Sequence, residues 1–155
     1  MNNQVKIHSL QDTRVLSIRY TGQYKEINEY VKLLFELAKE RIDGAPFVLY
    51  YDIAYNEEAD IEVCLPVSEE IGMSDPFHNK IIAGGEFATI LHKGNYKTLP
   101  EGYRAIETFL SEREIPIGVP SREIYLVGST PTKEVDTKDY LTQIAIPLPT
   151  NDEEI

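Results

Sequence analysis

Apolar positions along this chain alternate with polar ones in short runs, then switch to three- and four-residue steps, and the switch occurs twice. "VLSIRYTGQYKEI" from Val15 and "FATILHKGNYKTL" from Phe87 each carry a strand-like run into the pattern G-x-Y-K, followed by Ile or Leu. Gly22 and Gly94, like Tyr24 and Tyr96, lie 72 positions apart. A helix is predicted after each pattern. In the first, Ile27, Tyr30, Val31, Leu34, Leu37 and Ala38 form one apolar stripe; in the second, Leu99, Tyr103, Ile106, Phe109 and Leu110 do so. Thr98 with Glu101 has the spacing of a capping box, and Pro100 suits a first helical turn.

Each helix is followed by a Gly/Pro break and two further β-rich runs. "DGAPFVLYYDI" leads to "ADIEVCLPV", and "GVPSREIYLVG" leads to "YLTQIAIPL". Matching Pro46 with Pro120 and Pro66 with Pro147 widens the offset to 74 and then 81 and pairs Tyr51 with Tyr125. The chain therefore reads as strand, helix, strand, strand, repeated over about residues 5–67 and 81–148 of a single domain, 1–155. "SEEIGMSDPFHNKIIAGGE" reads as a polar connector and residues 150–155 as a solvated acidic tail.

Composition narrows the functional classes. The 155 residues suffice for one core without covalent staples, and the lone Cys64, in "IEVCLPV", reads as a small buried hydrophobe. No apolar run has membrane-spanning length and the N-terminus lacks signal-peptide regions, so a cytoplasmic protein without membrane association is expected. With 26 acidic against 15 basic side chains, net charge is -11. Such a surface repels phosphate backbones, which excludes direct nucleic-acid binding and suits a cationic ligand or a basic protein partner. His8, His78 and His92 show no metal-ligand spacing, and "IAGGE" is not a phosphate loop, so neither metal nor other cofactor is expected. His92 stands at the repeat position of Tyr20, which suggests a structural aromatic.

Taken in order, G-x-Y after the first strand of each half, "APFVLYYD", "GGEFATILHKGNY", "PSREIYL" and the closing "TQIAIPL" resemble the GyrI-like small-molecule-binding family, the effector-binding domain of some bacterial transcription activators. The resemblance spans about residues 5–148. It implies an α+β fold of two pseudo-twofold-related modules, with antiparallel sheet, helices on one side and a central ligand groove on the other. It also implies a stand-alone binding protein that senses or sequesters hydrophobic or cationic aromatic compounds. Some relatives act on DNA gyrase and some hydrolyse reactive cyclopropane-type natural products, so an acidic protein-protein inhibitor and a hydrolase are the alternatives. Without a DNA-binding helical segment outside residues 5–148, this chain alone is not expected to be a complete activator.

Alternation selects candidate site residues. In "DIEVCLPV" the apolar set Ile61, Val63 and Leu65 should face the helices, leaving Glu62 on the other side, with Gln143 as its counterpart in the second half. Glu123 and Tyr125 share a strand face, their repeat partners being Leu49 and Tyr51. Tyr51, Glu62, Glu123, Tyr125 and Gln143 are thus expected to converge on one concavity. The resemblance implies an acid at Glu123 in an aromatic groove, where charge pairing and cation–π contact, about 0.5–2 kcal/mol per ring, would hold an organic cation. Gln143 departs from the family, where a carboxylate is frequent. Were the protein a hydrolase, Glu123 would serve as general acid or base and Tyr125 as its hydrogen-bonding partner.

Overall fold

In the computed structural model, which describes residues 4–131 and 133–150, eight antiparallel strands form one curled sheet with two helices. The acidic tail lies outside the described residues from position 151 onward. Strand β1, Lys6–Leu10, precedes β2, Thr13–Gly22; a 3₁₀ turn at Tyr24–Glu26 then opens into α1, Ile27–Ala38. Strands β3, Phe47–Tyr50, and β4, Ala59–Pro66, complete the first half. The second runs β5, Phe77–Ile82, β6, Gly85–Lys93, a 3₁₀ turn at Tyr96–Thr98, α2, Leu99–Glu112, β7, Ser121–Val127, and β8, Leu141–Pro147.

The sheet order β1-β6-β8-β7-β3-β4-β2-β5 is palindromic: β6, β8 and β7 mirror β2, β4 and β3 about a seam where β7 meets β3. The strand–helix–strand–strand order is as expected, but β1 and β5 were not. Both are short edge strands, β5 falling inside the polar connector, and each is held by backbone pairing to the opposite half, β1 on β6 and β5 on β2. Polar side chains such as His78, Asn79 and Lys80 in β5 hide the hydrophobic alternation by which a strand is recognised.

Both apolar stripes pack on the same face of the sheet. Leu34 and Ala38 of α1 join Leu16, Ile18, Val48, Ile61, Val63 and Leu65, while Ile106 and Leu110 of α2 join Ala88, Ile90, Ile144 and Ile146. The reverse face buries a smaller cluster of Val15, Phe47, Leu49, Cys64 and Ile82. Cys64 is fully buried and its thiol is pushed up by desolvation, in keeping with a packing role. The capping box expected at Thr98 does not form: the Thr98 hydroxyl lies 2.8 Å from His92 Nε2 and donates to Asn95 O at 3.3 Å. His92 is buried and ties this turn to β6, a structural role.

Candidate functional site

One row of side chains crosses the helix-bearing face through both halves: Ile90, Ile144, Glu123, Val48, Val63 and Ile18, each directly opposite the next. Five are aliphatic and at most 6% exposed; the sixth is a carboxylate, only 7% exposed. Glu123 therefore stands at the seam, opposite Val48, at the place Val48 occupies in the first half. The strand pairings make this explicit, because Val63 faces Val48 as Ile144 faces Glu123. The offset across this strand is therefore 75, and Tyr125 corresponds to Tyr50 rather than Tyr51.

Three tyrosines surround the carboxylate. Tyr125 donates to Glu123 Oε1 at 2.9 Å, Tyr50 to the same oxygen at 3.3 Å, and Tyr103 of α2 to Oε2. The Tyr50 and Tyr125 hydroxyls are 3.4 Å apart. Tyr24 and Tyr96, from the two G-x-Y-K motifs, extend the aromatic wall: Tyr24 packs against Tyr50 at 5.9 Å between ring centroids and Tyr96 against Tyr125 at 5.6 Å. No basic side chain among the described residues pairs with Glu123. Burial pushes its carboxyl above the usual carboxylate range, the hydroxyls of Tyr103, Tyr125 and Tyr50 opposing that shift in part. The same burial, with the neighbouring carboxylate, pushes the Tyr50, Tyr103 and Tyr125 phenols up, so they remain neutral donors.

Two cavities open at Glu123, both on the helix-bearing face and between the helices. The first, about 300 Å³, lies along α1 at Ile27 and Val31; the second, about 680 Å³, lies along α2 at Tyr103 and Arg104. Glu123, Tyr24, Tyr50, Tyr96 and Leu99 line both. The groove thus shares a side with the helices instead of lying across the sheet from them, because β3 and β7 leave a gap between α1 and α2 that neither stripe fills.

The expected convergence of five residues is corrected by the register. Tyr51 and Glu62 are on the reverse face, as is Gln143, which pairs with Ile124 and Leu91 next to the seam row. There Glu62, fully buried, accepts hydrogen bonds from Ser17 Oγ at 2.8 Å and Tyr51 OH at 2.7 Å, and pairs with Lys80 Nζ at 2.6 Å. Burial alone would raise its carboxyl; the Lys80 ammonium and the two hydroxyls outweigh it and hold the group below the usual range. The Arg19 guanidinium lies 3.7 Å from the Tyr51 ring centroid and pairs with Asp60 at 2.7 Å. This cluster is internally satisfied, a lock between β2, β4 and β5. Only Glu123 and Tyr125 of the five reach the cavity.

With that geometry in place, residues 3–149 match the model of the GyrI-like small molecule binding domain. The chain belongs to this family. Among solved structures, this GyrI-like chain resembles EcmrR in its complex with DNA at TM-score 0.81 and 20% identity, covering 94% of this chain and 57% of that one. It thus spans little more than half of that relative, and the EcmrR C-terminal domain alone matches at TM-score 0.79 and 20% identity over 97% and 99% of the two chains. SAV2435 bound to tetraphenylphosphonium matches at 0.60 and 11% identity over 97% and 96%. A hydrolase encoded by lin2189 from Listeria innocua matches at 0.63 and 13% over 94% and 92%. No curated protein sequence matches. At these identities the structural likeness shows a common fold. Among the described residues of the GyrI-like chain, no helix is long and apolar enough to cross a membrane.

Proposed function

We propose that this GyrI-like domain binds a hydrophobic or aromatic organic cation between its two helices, for sensing or sequestration, with Glu123 as the counter-charge. The observation that carries this reading is a carboxylate at the centre of an aliphatic row, supplied with neutral hydroxyl donors and no basic partner. Burying such a group costs stability unless something cationic compensates it. Tyrosine rings around it supply faces that favour a cation over a neutral molecule of equal shape. The family description names small-molecule binding, and SAV2435 was seen with a tetra-aryl cation; both support the reading. Calorimetry with tetraphenylphosphonium and neutral triphenylphosphine oxide tests it. Glu123→Gln should weaken the phosphonium at least about tenfold and change the neutral compound less than about threefold. Equal losses for both, or none, would remove the electrostatic role.

A hydrolytic reading uses the same atoms, with Glu123 as proton donor and Tyr125 as its partner, and the upward-shifted carboxyl favours it. Turnover of a strained electrophile that vanishes in Glu123→Gln would support it over binding alone.

A further inference from the structure

The two cavities are related by the same symmetry as the strands. Ile27 and Val31, which line the first, stand 72 positions before Leu99 and Tyr103, which line the second. Gly128 and Ser129 close the first chamber just past the end of β7, as Ile53 and Ala54 close the second just past the end of β3. The chambers are therefore two versions of one niche, each formed by the first turns of a helix and the exit of a central strand. Their chemistry differs: Val31 in the first is replaced by Tyr103 in the second, where Arg104 and Glu107 also contribute. What does not come in pairs is the acid, since the position equivalent to Glu123 is Val48. Two niches thus meet at a single buried acid on the seam, while the less buried Asp52 and Glu107 line the second niche alone.

We propose that the ligands of this domain are two-lobed organic cations, the cationic centre seated at Glu123 and one apolar or aromatic lobe in each chamber. The inference rests on the reading of Glu123 as counter-charge and adds the shape of the molecule to it. Glu123 is the one carboxylate that both chambers share and the only acid lining the first, so a cation in each chamber would have to divide that charge, Asp52 and Glu107 lining the second chamber alone beside Arg104. A one-lobed cation would leave one chamber as water against apolar walls, and a second lobe joined through the same centre gains that burial at little further loss of translational freedom. Tyr24, Tyr50 and Tyr96 line both chambers; the smaller adds Ile27, Val31 and Pro46 and favours a compact neutral lobe, while the larger adds Tyr55 and Tyr103 and favours a planar one.

The test uses benzyltrimethylammonium and dibenzyldimethylammonium, which share the charge and differ by one lobe. By calorimetry on the whole chain, the dibenzyl cation should bind about tenfold more tightly or better, with one molecule of either per chain. Val31→Trp, which fills the α1 chamber, should bring the ratio of the two affinities to about one; Asn28→Trp, one helical turn earlier on the same wall, checks this with a second fold-compatible change. A wild-type ratio near one, a stoichiometry of two for the benzyl cation, or a ratio that survives both variants would overturn the two-lobed site. If the benzyl cation binds and depends on Glu123 while the ratio is one, the counter-charge reading stands and only the present inference fails. If neither cation binds, both fail together.

Discussion

Two buried glutamates in this fold have carboxyl pKa values shifted in opposite directions, and the contrast separates an acid satisfied within the fold from the one proposed to meet a ligand. Glu62, held below the usual range by Lys80 and two hydroxyls, stabilises the fold above the ordinary carboxylate pKa; that contribution is lost as pH falls through its folded value. Glu123 behaves in reverse. Its folded carboxyl keeps the proton to higher pH than the unfolded chain does, so stability declines as pH rises from the ordinary carboxylate value through the folded one. Glu123→Gln, which resembles the protonated form in shape and charge, should therefore raise the melting temperature of the ligand-free protein at neutral pH. A change of about 1 kcal/mol corresponds to roughly 2–4 °C in a chain of this size. The gain should shrink on acidification to about pH 4, where the wild-type carboxyl is itself protonated. Scanning calorimetry at both pH values checks this. A lower melting temperature at neutral pH would mean that the tyrosine hydroxyls more than offset the burial.

At the scale of elements, the two halves are clasped where the β1–β2 and β5–β6 turns meet. Gly84 N donates to Asp12 Oδ1 at 2.8 Å, and Arg122 reaches Ala83 O at 3.1 Å. A Cβ on Gly84 would lie 1.9 Å from Leu10 O and 2.7 Å from Gln11 C, backbone atoms that cannot rotate aside. Gly84→Ala should cost about 2 kcal/mol or more in urea unfolding, and a cost under about 0.5 kcal/mol would show that the turn contact yields freely. The elements themselves were largely legible: two amphipathic helices and the strand that follows each show strong periodicity, and the G-x-Y-K motifs located both helix starts. The faces of the central strands were less so. Matching the halves on Pro46 and Pro120 misses one residue between that proline and the sheet, and in a strand one residue exchanges the faces. That step put Tyr51 in the cavity in place of Tyr50. Glu62 was assigned correctly to the face opposite the helices, and it missed the cavity because the groove was expected on that face. Tyr103 was read as part of the α2 apolar stripe, because periodicity records that a ring faces inward and not that its hydroxyl meets a carboxylate across 20 residues of chain.

Across the whole molecule, the design is a symmetric frame with an asymmetric charge. Paired helices, paired chambers and paired tyrosines, Tyr24 with Tyr96 and Tyr50 with Tyr125, surround one buried acid, Glu123, whose counterpart Val48 is aliphatic. The net charge of -11 adds a field that draws cations toward the chain, but it acts on every cation alike and is screened by salt. In the proposed reading, selection for cations at the site comes chiefly from the ionised Glu123, with the tyrosine faces adding to it. The most direct measurement is the affinity of a permanently charged ligand, tetraphenylphosphonium, between about pH 4 and about pH 8, in wild type and in Glu123→Gln. The ligand has no titrating group, so a wild-type affinity that rises with pH and a variant affinity that stays flat would assign the dependence to this carboxylate. A flat wild-type profile, or the same slope in both proteins, would contradict the account.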